Sequence, residues 1–208
     1  MDSINLKDSA FLRACRCEPV EWKPVWFMRQ AGRSLPEYRA LRKEGSILDA
    51  IKKPDVSIEI TLQPIRRYGV DAAILFSDIV VPVHAVGFGV EIEPGIGPVA
   101  ADPFRSSDDL KRLRSLNPEV DTPYVLETIK GCIQELQVPL IGFAGAPFTV
   151  ASYLIEGGPS RSYQKTKSLM FGDNALWASL MERLTDITIE SLLSQVEAGA
   201  SAIQLFDS

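Results

Sequence analysis

The feature that most constrains the fold of this chain is an alternation of short apolar runs with longer amphipathic segments. The short runs have the length of buried strands and lie at residues 25–28, 71–76, 139–143 and 202–206. Amphipathic segments between such strands are typical of βα units, in which helices cover a parallel sheet. The pattern therefore predicts an α/β fold and disfavours an antiparallel barrel.

Helices are predicted where apolar residues recur at intervals of three or four. These segments are residues 36–42, 55–68, 107–113, 122–136 and 174–198. Gly199 follows the last of them, and glycine commonly ends a helix. Closely spaced glycines and prolines at 83–98 predict an extended excursion with tight turns rather than a helix. No linker or low-complexity stretch divides the chain, so we expect one domain over residues 1–208.

The composition is that of an ordinary globular protein, with 46% hydrophobic and 24% charged residues. The net charge of −5 argues against nucleic-acid binding, which usually needs a basic face. The sequence contains no apolar run long enough to span a bilayer and no secretory leader. We therefore expect a cytoplasmic protein that does not contact membranes.

Cysteine and histidine are scarce, and this bears on metal binding. The three cysteines are Cys15, Cys17 and Cys132, and the single histidine, His84, lies in an apolar run. Their spacing fits no common zinc site. We therefore expect no metal ion and a protein that works in a reducing compartment.

Polar and glycine-rich segments follow each of the four predicted strands. They are Arg29 with Arg33, Ser77 with Asp78, residues 142–147 with Tyr153 shortly after, and Asp207 with Ser208. In a (β/α)8 TIM barrel, reactive residues gather at this end of the strands, and the complete fold takes about 250 residues. Four βα units therefore predict roughly the N-terminal half of a barrel, strands 1–4, with the C-terminal part absent.

Two arginines follow the first predicted strand, and Gly32 lies between them. A guanidinium group is always charged and presents a planar fork of donors that matches a carboxylate. Arg29 and Arg33 therefore suggest a clamp for a substrate with several carboxylates. Structural ion pairing is the alternative for both residues.

Asp78 and Tyr153 also have ordinary structural alternatives. An aspartate just past a strand often caps a helix. The residues after Asp78 are apolar and β-branched, a poor start for a helix, which favours a ligand rich in N–H groups. A tyrosine placed like Tyr153 is commonly a packing residue, and Glu156 is equally compatible with a surface or a capping role. Gly157 and Gly158 alone do not indicate a nucleotide site, because a P-loop also needs a lysine.

The order of these motifs closely resembles the uroporphyrinogen decarboxylase family. The most specific stretch is PVWFMRQAGR at 24–33, followed by LPEYR at 35–39. Three further stretches agree: TLQP at 61–64 leading into DAAILFSDI at 71–79, GFAGAPFT at 142–149, and QLFDS at 204–208. The similarity runs in order over nearly the whole chain.

The resemblance implies a cofactor-free lyase, usually a homodimer, with a barrel fold. Such an enzyme removes CO₂ from the four acetate side chains of uroporphyrinogen III to give coproporphyrinogen III, a step toward haem. The residues implied to be catalytic are Asp78, Arg29, Arg33 and Tyr153. Those implied to bind substrate are Arg29, Gln30, Ala31, Gly32, Arg33, Asp78, Phe143, Tyr153, Phe206 and Ser208.

Some positions depart from the family pattern. Ser34 lies where many members carry an aromatic residue, and Phe148 lies where some carry tryptophan. The family's substrate-binding histidine has no counterpart here, because His84 lies in a different segment. Two alternatives stay open: an inactive half-barrel that binds anions or a partner chain, and a cobalamin-linked methyltransferase of the same superfamily. Scarce zinc ligands disfavour the methyltransferase.

Overall fold

The computed structural model of this protein describes residues 6–28, 34–42 and 45–207. Its helices are α1 (Ala10–Cys15), α2 (Pro36–Leu41), α3 (Ile47–Ile51), α4 (Pro54–Tyr68), α5 (Val81–Ala85), α6 (Pro118–Asp121), α7 (Pro123–Glu135), α8 (Pro147–Glu156), α9 (Gln164–Gly172) and α10 (Asn174–Ala198). Its strands are β1 (Ala73–Ile74), β2 (Val90–Glu93), β3 (Gly97–Ala100), β4 (Leu140–Gly145) and β5 (Ala202–Phe206). Two short 3₁₀ helices cover Leu6–Asp8 and Ser107–Arg112.

Three strands form a parallel sheet in the order β1–β4–β5. β4 lies at the centre, with Ala73 of β1 opposite Leu140 on one side. On the other side Ile141 lies opposite Ala202, and the pairing continues to Gly145 and Phe206. The parallel order confirms the predicted α/β fold and represents part of a barrel wall. The described residues contain no closed barrel.

Each face of this sheet packs against a different set of apolar side chains, because successive strand residues point to opposite faces. Ala73, Leu75 and Leu140 belong to the larger core, which also contains buried residues of α4, α7, α8 and α10. The opposite face carries a smaller core formed by Phe11, Ala72, Ile74 and Ile141. Helix α1 thus covers the inner face, and the longer helices cover the outer face.

Local signals mark where α9 and α10 begin and where α10 ends. Asp173 accepts a hydrogen bond from the Leu176 N–H at 3.0 Å at the start of α10, and Gly199 ends it with φ +119°. The Glu156 carboxylate accepts bonds from the N–H and the hydroxyl of Thr166, both at 2.9 Å. Glu156 therefore has the capping role that the sequence left open, because it satisfies a free N–H in the first turn of α9.

The prediction of a first strand at 25–28 is wrong. Described residues 23–27 are neither helix nor strand, and Met28 lies in a turn. The Asp71 carboxylate accepts a hydrogen bond from the Val25 N–H at 2.7 Å, and the Asp71 N–H donates to the Val25 carbonyl at 2.9 Å. A side chain thus supplies one of the contacts that a strand ladder would have supplied.

The second predicted strand, 71–76, is shortened to the two residues of β1. Leu75 still donates to the Ile141 carbonyl at 3.0 Å, but the Phe76 N–H donates to the Thr61 hydroxyl at 3.0 Å. Phe76 therefore leaves the sheet toward α4. The predicted helix at 107–113 is also corrected, since Ser107–Arg112 is a 3₁₀ helix.

The excursion after β1 contains both a helix and tight turns. Residues 90–100 form the antiparallel hairpin β2–β3, which agrees with the prediction. The expectation that no helix precedes it is wrong, because α5 occupies Val81–Ala85. Pro82 lies in the first turn of α5, where its fixed φ favours helix and its missing N–H costs nothing. No helix in the described part of the chain is long and apolar enough to cross a membrane.

Apolar side chains on β5 are exposed at the edge of the parallel sheet. Ile203 is 37% exposed and Leu205 is 46% exposed. Alternate residues of a strand lie on one face, so these two side chains form a continuous apolar strip on the edge strand of the sheet. Such an edge favours association between molecules.

We expect the 208-residue chain to self-associate as its concentration rises, and light scattering coupled to gel filtration measures this. The double variant Ile203→Lys with Leu205→Lys should shift the protein toward monomer, because charges block edge pairing. Val120→Lys is the matched control, since Val120 is 71% exposed on α6 and lies outside the sheet. A parent protein that stays monomeric throughout the series contradicts the expectation.

Candidate active site

The carboxyl ends of β1, β4 and β5 lie at one edge of the parallel sheet, where side chains from separate parts of the chain meet. At this edge the Ala146 N–H donates to the Phe206 carbonyl at 2.7 Å, which joins the exits of β4 and β5. A Cβ added to Gly145 would lie 3.0 Å from the Ile79 Cβ, so the exit of β1 packs closely on the last residue of β4. The three exits therefore form one connected rim.

Asp78 lies on the loop between β1 and α5 and is half-buried. Its Oδ1 accepts a hydrogen bond from the Val80 N–H at 3.1 Å, and its carbonyl accepts one from Val81 at 3.2 Å. Val80 is the N-cap residue of α5, and no side chain caps this helix, so Asp78 stabilises the loop before α5 and does not have the capping role that the sequence left open. The same bonds hold the carboxylate at the rim, next to the Ile79 that contacts β4.

Phe143 of β4 and Phe206 of β5 are in direct contact. Their ring centroids are 5.4 Å apart, with an angle of 71° between the ring planes. Both rings are half-buried and pack against the smaller core on the inner face of the sheet. The edge-to-face geometry is one that aromatic pairs prefer. The structure thus brings together the two aromatic residues that were predicted to contact substrate.

Helix α8 starts two residues after β4 and carries Tyr153, which is half-buried. Thr149 lies four residues earlier on the same helix, so both side chains share a helix face. The Thr149 hydroxyl donates to Asp207 Oδ1 at 2.8 Å, which connects α8 to the exit of β5. Tyr153 is therefore held on the side of α8 that faces the rim.

Six of the predicted site residues lie outside the described residues, namely Arg29, Gln30, Ala31, Gly32, Arg33 and Ser208. The segment just before the arginines is described. The Asp71 carboxylate accepts hydrogen bonds from Trp22 Nε1 at 2.9 Å and from the Val25 N–H at 2.7 Å. The Trp26 side chain packs against the smaller core. The chain leading to Arg29 is thus attached where the chain enters β1.

Cys15 and Cys17 are exposed at the end of α1, whereas Cys132 is buried in α7 and His84 lies on α5. Burial raises the pKa of Cys132 to about 11, so its thiol stays neutral at physiological pH. His84 Nδ1 lies 2.8 Å from the Val90 carbonyl and Nε2 lies 3.1 Å from Lys52 Nζ, so both ring nitrogens have hydrogen-bond partners. Within the described ranges, no three histidine, cysteine or acidic residues are grouped as metal ligands would be.

Two clefts lie elsewhere on the surface. The larger, about 560 Å³, lies along α9 from Gln164 to Asp173 and beside Arg105. Arg105 already donates to the carbonyls of Phe104 and Ile155. The smaller, about 270 Å³, lies between α2, α3 and the hairpin turn. Neither cleft includes Asp78, Phe143, Tyr153 or Phe206.

Comparisons with known proteins agree on one family. Residues 6–208 match the family model described as "Uroporphyrinogen decarboxylase (URO-D)". The chain is 60% identical over 207 residues to a protein of Thermobifida fusca named "Uroporphyrinogen decarboxylase", a match that covers 99% of this chain and 57% of that protein. A protein of the same name from Streptomyces griseus is 62% identical over 202 residues, which cover 97% of this chain and 55% of that protein. The chain thus spans little more than half the length of these relatives.

A solved structure described as a "methyltransferase from Methanosarcina mazei" has a similar fold. Its TM-score is 0.68, and the match covers 93% of this chain and 56% of that chain. The sequence identity is 24%, so the likeness shows the fold alone. It supports the predicted partial barrel and carries no argument for methyl transfer.

We expect Asp71→Ala to lower the free energy of unfolding of this chain by roughly 1–3 kcal/mol, because Trp22 and Val25 lose a charged acceptor. Asp71→Asn should cost less, since its remaining oxygen still accepts from Trp22. Urea denaturation followed by circular dichroism measures both changes. Asp186→Ala is the control, as it removes an exposed carboxylate on α10. Equal effects of Asp71→Ala and Asp186→Ala would show that the hydrogen bonds of Asp71 to Trp22 and Val25 contribute nothing to stability.

Proposed function

Since this chain belongs to the uroporphyrinogen decarboxylase family, we propose that it carries the N-terminal part of an active site that converts uroporphyrinogen III to coproporphyrinogen III. The observation that carries the proposal is the rim where the exits of β1, β4 and β5 meet, with Asp78 beside it and two aromatic rings below it. The proposal concerns the complete family protein, of which this chain represents part. The family resemblance also favours a cytoplasmic homodimer as its working form.

The substrate's charge pattern fits the residue types at this rim. Uroporphyrinogen carries eight carboxylates around its edge and four pyrrole N–H donors at its centre. It therefore needs cations outside the ring and an acceptor beneath the centre. We assign the acceptor role to Asp78, the one carboxylate on the β1 exit, and the clamping role to Arg29 and Arg33.

The reaction replaces CO₂ by a proton on each acetate side chain. A pyrrole ring that has taken up a proton is cationic and can accept the electron pair released when the bond to the carboxyl carbon breaks. CO₂ then leaves, a proton adds to the former methylene carbon to give a methyl group, and the ring proton is released. Asp78 stabilises the cationic ring through its negative charge.

The proton donor is a separate question from the stabilising charge. A guanidinium group is a poor acid at neutral pH because it holds its proton far more tightly than water-exposed groups that titrate near neutrality. We therefore assign Arg29 a positioning and electrostatic role, with the proton supplied by water or by the substrate's own carboxyl group. Tyr153 and Ser208 supply hydroxyl groups to the pocket, and Phe143 and Phe206 supply its apolar surface.

We expect Asp78→Asn to reduce decarboxylation by roughly 100-fold or more, as loss of one aligned stabilising group does in other enzymes. The amide oxygen keeps an acceptor for the Val80 N–H, so the fold should be unchanged. The assay uses a full-length chimera in which residues 1–208 replace the matching part of the Thermobifida fusca relative. Coproporphyrinogen formation is followed by chromatography of the oxidised porphyrins.

Asp173→Asn is the matched control, because it removes a carboxylate but keeps an oxygen that can cap α10. It should leave turnover unchanged. Near-parental turnover in the Asp78→Asn chimera would remove Asp78 from the mechanism.

We expect Arg29→Lys and Arg33→Lys each to raise KM about tenfold, since lysine keeps the charge but loses the planar fork for a carboxylate. Initial rates over a range of uroporphyrinogen concentrations measure the change in the same chimera. Arg66→Lys is the control, because Arg66 forms exposed ion pairs with Glu59 and Glu135. Parental KM and kcat in both variants would mean that diffuse positive charge is sufficient.

A further inference from the structure

The buried Gln195 of α10 makes an unusual pair of contacts with the sheet. Its Oε1 accepts a hydrogen bond from the Phe143 N–H at 2.8 Å, and its Nε2 donates to the Phe143 carbonyl at 2.9 Å. The residue is 3% exposed, and Nε2 also lies 3.3 Å from the Ser191 hydroxyl. One side-chain amide thus pairs with both backbone groups of a single strand residue, as a neighbouring strand would.

The need for this contact follows from the short β1. Alternate residues of a central strand present their backbone groups to the same neighbour. Pro139 accepts from Ala73 of β1 at 2.9 Å, and Ile141 accepts at 3.0 Å from Leu75, the residue after β1. Phe143 is next in this series. By that point the chain after β1 has turned toward Thr61. Gln195 occupies the position that β1 has left, so the N–H and the carbonyl of Phe143 have hydrogen-bond partners. Buried backbone groups without partners would destabilise the fold.

The residue before Phe143 is suited to this approach. A Cβ added to Gly142 would lie 2.6 Å from Gln195 Oε1 and 3.1 Å from the Ala200 Cβ. Only a residue without a side chain lets the glutamine amide lie so close to the strand. Gly142 and Gln195 therefore form a matched pair, although they lie far apart in the sequence.

We propose that Gln195 is a positioning residue for substrate binding, acting through Phe143. It holds the Phe143 backbone from the helix side of the sheet, so that the ring on the inner face stays against Phe206. Gln195 itself touches no substrate. The inference rests on the proposed function, because it needs the Phe143 ring to contact the tetrapyrrole.

Gln195→Met tests this in the chimera, because methionine has a similar length but cannot pair with the Phe143 backbone. The ring contacts the same part of the substrate in the ground state and in the transition state, so KM should rise roughly fivefold with kcat changed by less than about twofold. Gln63→Met is the matched control: Gln63 is also a buried glutamine, at 4% exposure, but it lies on α4. It should leave KM unchanged.

A double-mutant cycle separates positioning from a general loss of stability. In a Phe143→Ala background, Gln195→Met should cause no further loss of kcat/KM, because the ring it positions is gone. An equal loss in both backgrounds overturns the inference. A parent chimera without decarboxylase activity overturns the proposed function, and this inference with it; an active parent with additive losses overturns this inference alone.

Gln195→Glu provides a second variant in case the methionine variant does not fold. A neutral carboxyl group can accept from the Phe143 N–H and donate to its carbonyl, whereas a carboxylate can only accept. Burial raises the pKa of such a carboxyl group. The ratio of this variant's KM to the parent's KM should therefore fall toward one as the pH is lowered from about 8 to about 6. A ratio of one at every pH, or a raised ratio that does not change with pH, contradicts the role.

Discussion

The hydrogen bonds on the two sides of β4 hold together the part of the molecule on which the proposed site depends. On one side β5 pairs along five residues, from Ile141 to Gly145 of β4. On the other side β1 pairs at only two, and the amide of Gln195 continues the pairing at Phe143. The central strand therefore fixes the positions of both neighbouring exits, and a shift of its register would move every side chain at the rim.

The proposed function requires a chain with a net charge of −5 to bind a highly anionic substrate. A negatively charged chain does not attract an anion at long range, so recognition depends on donors and charges that lie close to the bound substrate. Under the proposed function, Asp78 at the rim accepts from the N–H groups at the ring centre, with the aromatic pair beside it. The proposed cationic groups, Arg29 and Arg33, follow a segment whose Trp22 and Val25 donate hydrogen bonds to Asp71. The proposed function therefore depends on where the backbone places these groups and not on overall charge.

The sequence predicted elements whose boundaries have local signals. α10 and β5 match the predicted bounds, since Asp173, Gly199 and a clear apolar period mark them. α8 gave no clear helical period, because it is buried on most sides. The roles of Asp71, Thr149 and Gln195 depend on partners 46, 58 and 52 residues away, and no local pattern indicates them. The bonds of Asp71 also explain why residues 25–28 are not the strand that their apolar run predicts. For the site, the exits of the strands at 71–76, 139–143 and 202–206 were predictable. The contacts that hold these exits together were not.

The most direct test of the account is a crystal structure of the full-length chimera with coproporphyrinogen bound. The account predicts that the tetrapyrrole lies across the carboxyl ends of β1, β4 and β5, with the Asp78 carboxylate within hydrogen-bond distance of the pyrrole N–H groups and the rings of Phe143 and Phe206 in contact with it. A tetrapyrrole bound elsewhere, such as in the cleft beside Arg105 or at the opposite end of the strands, would contradict it.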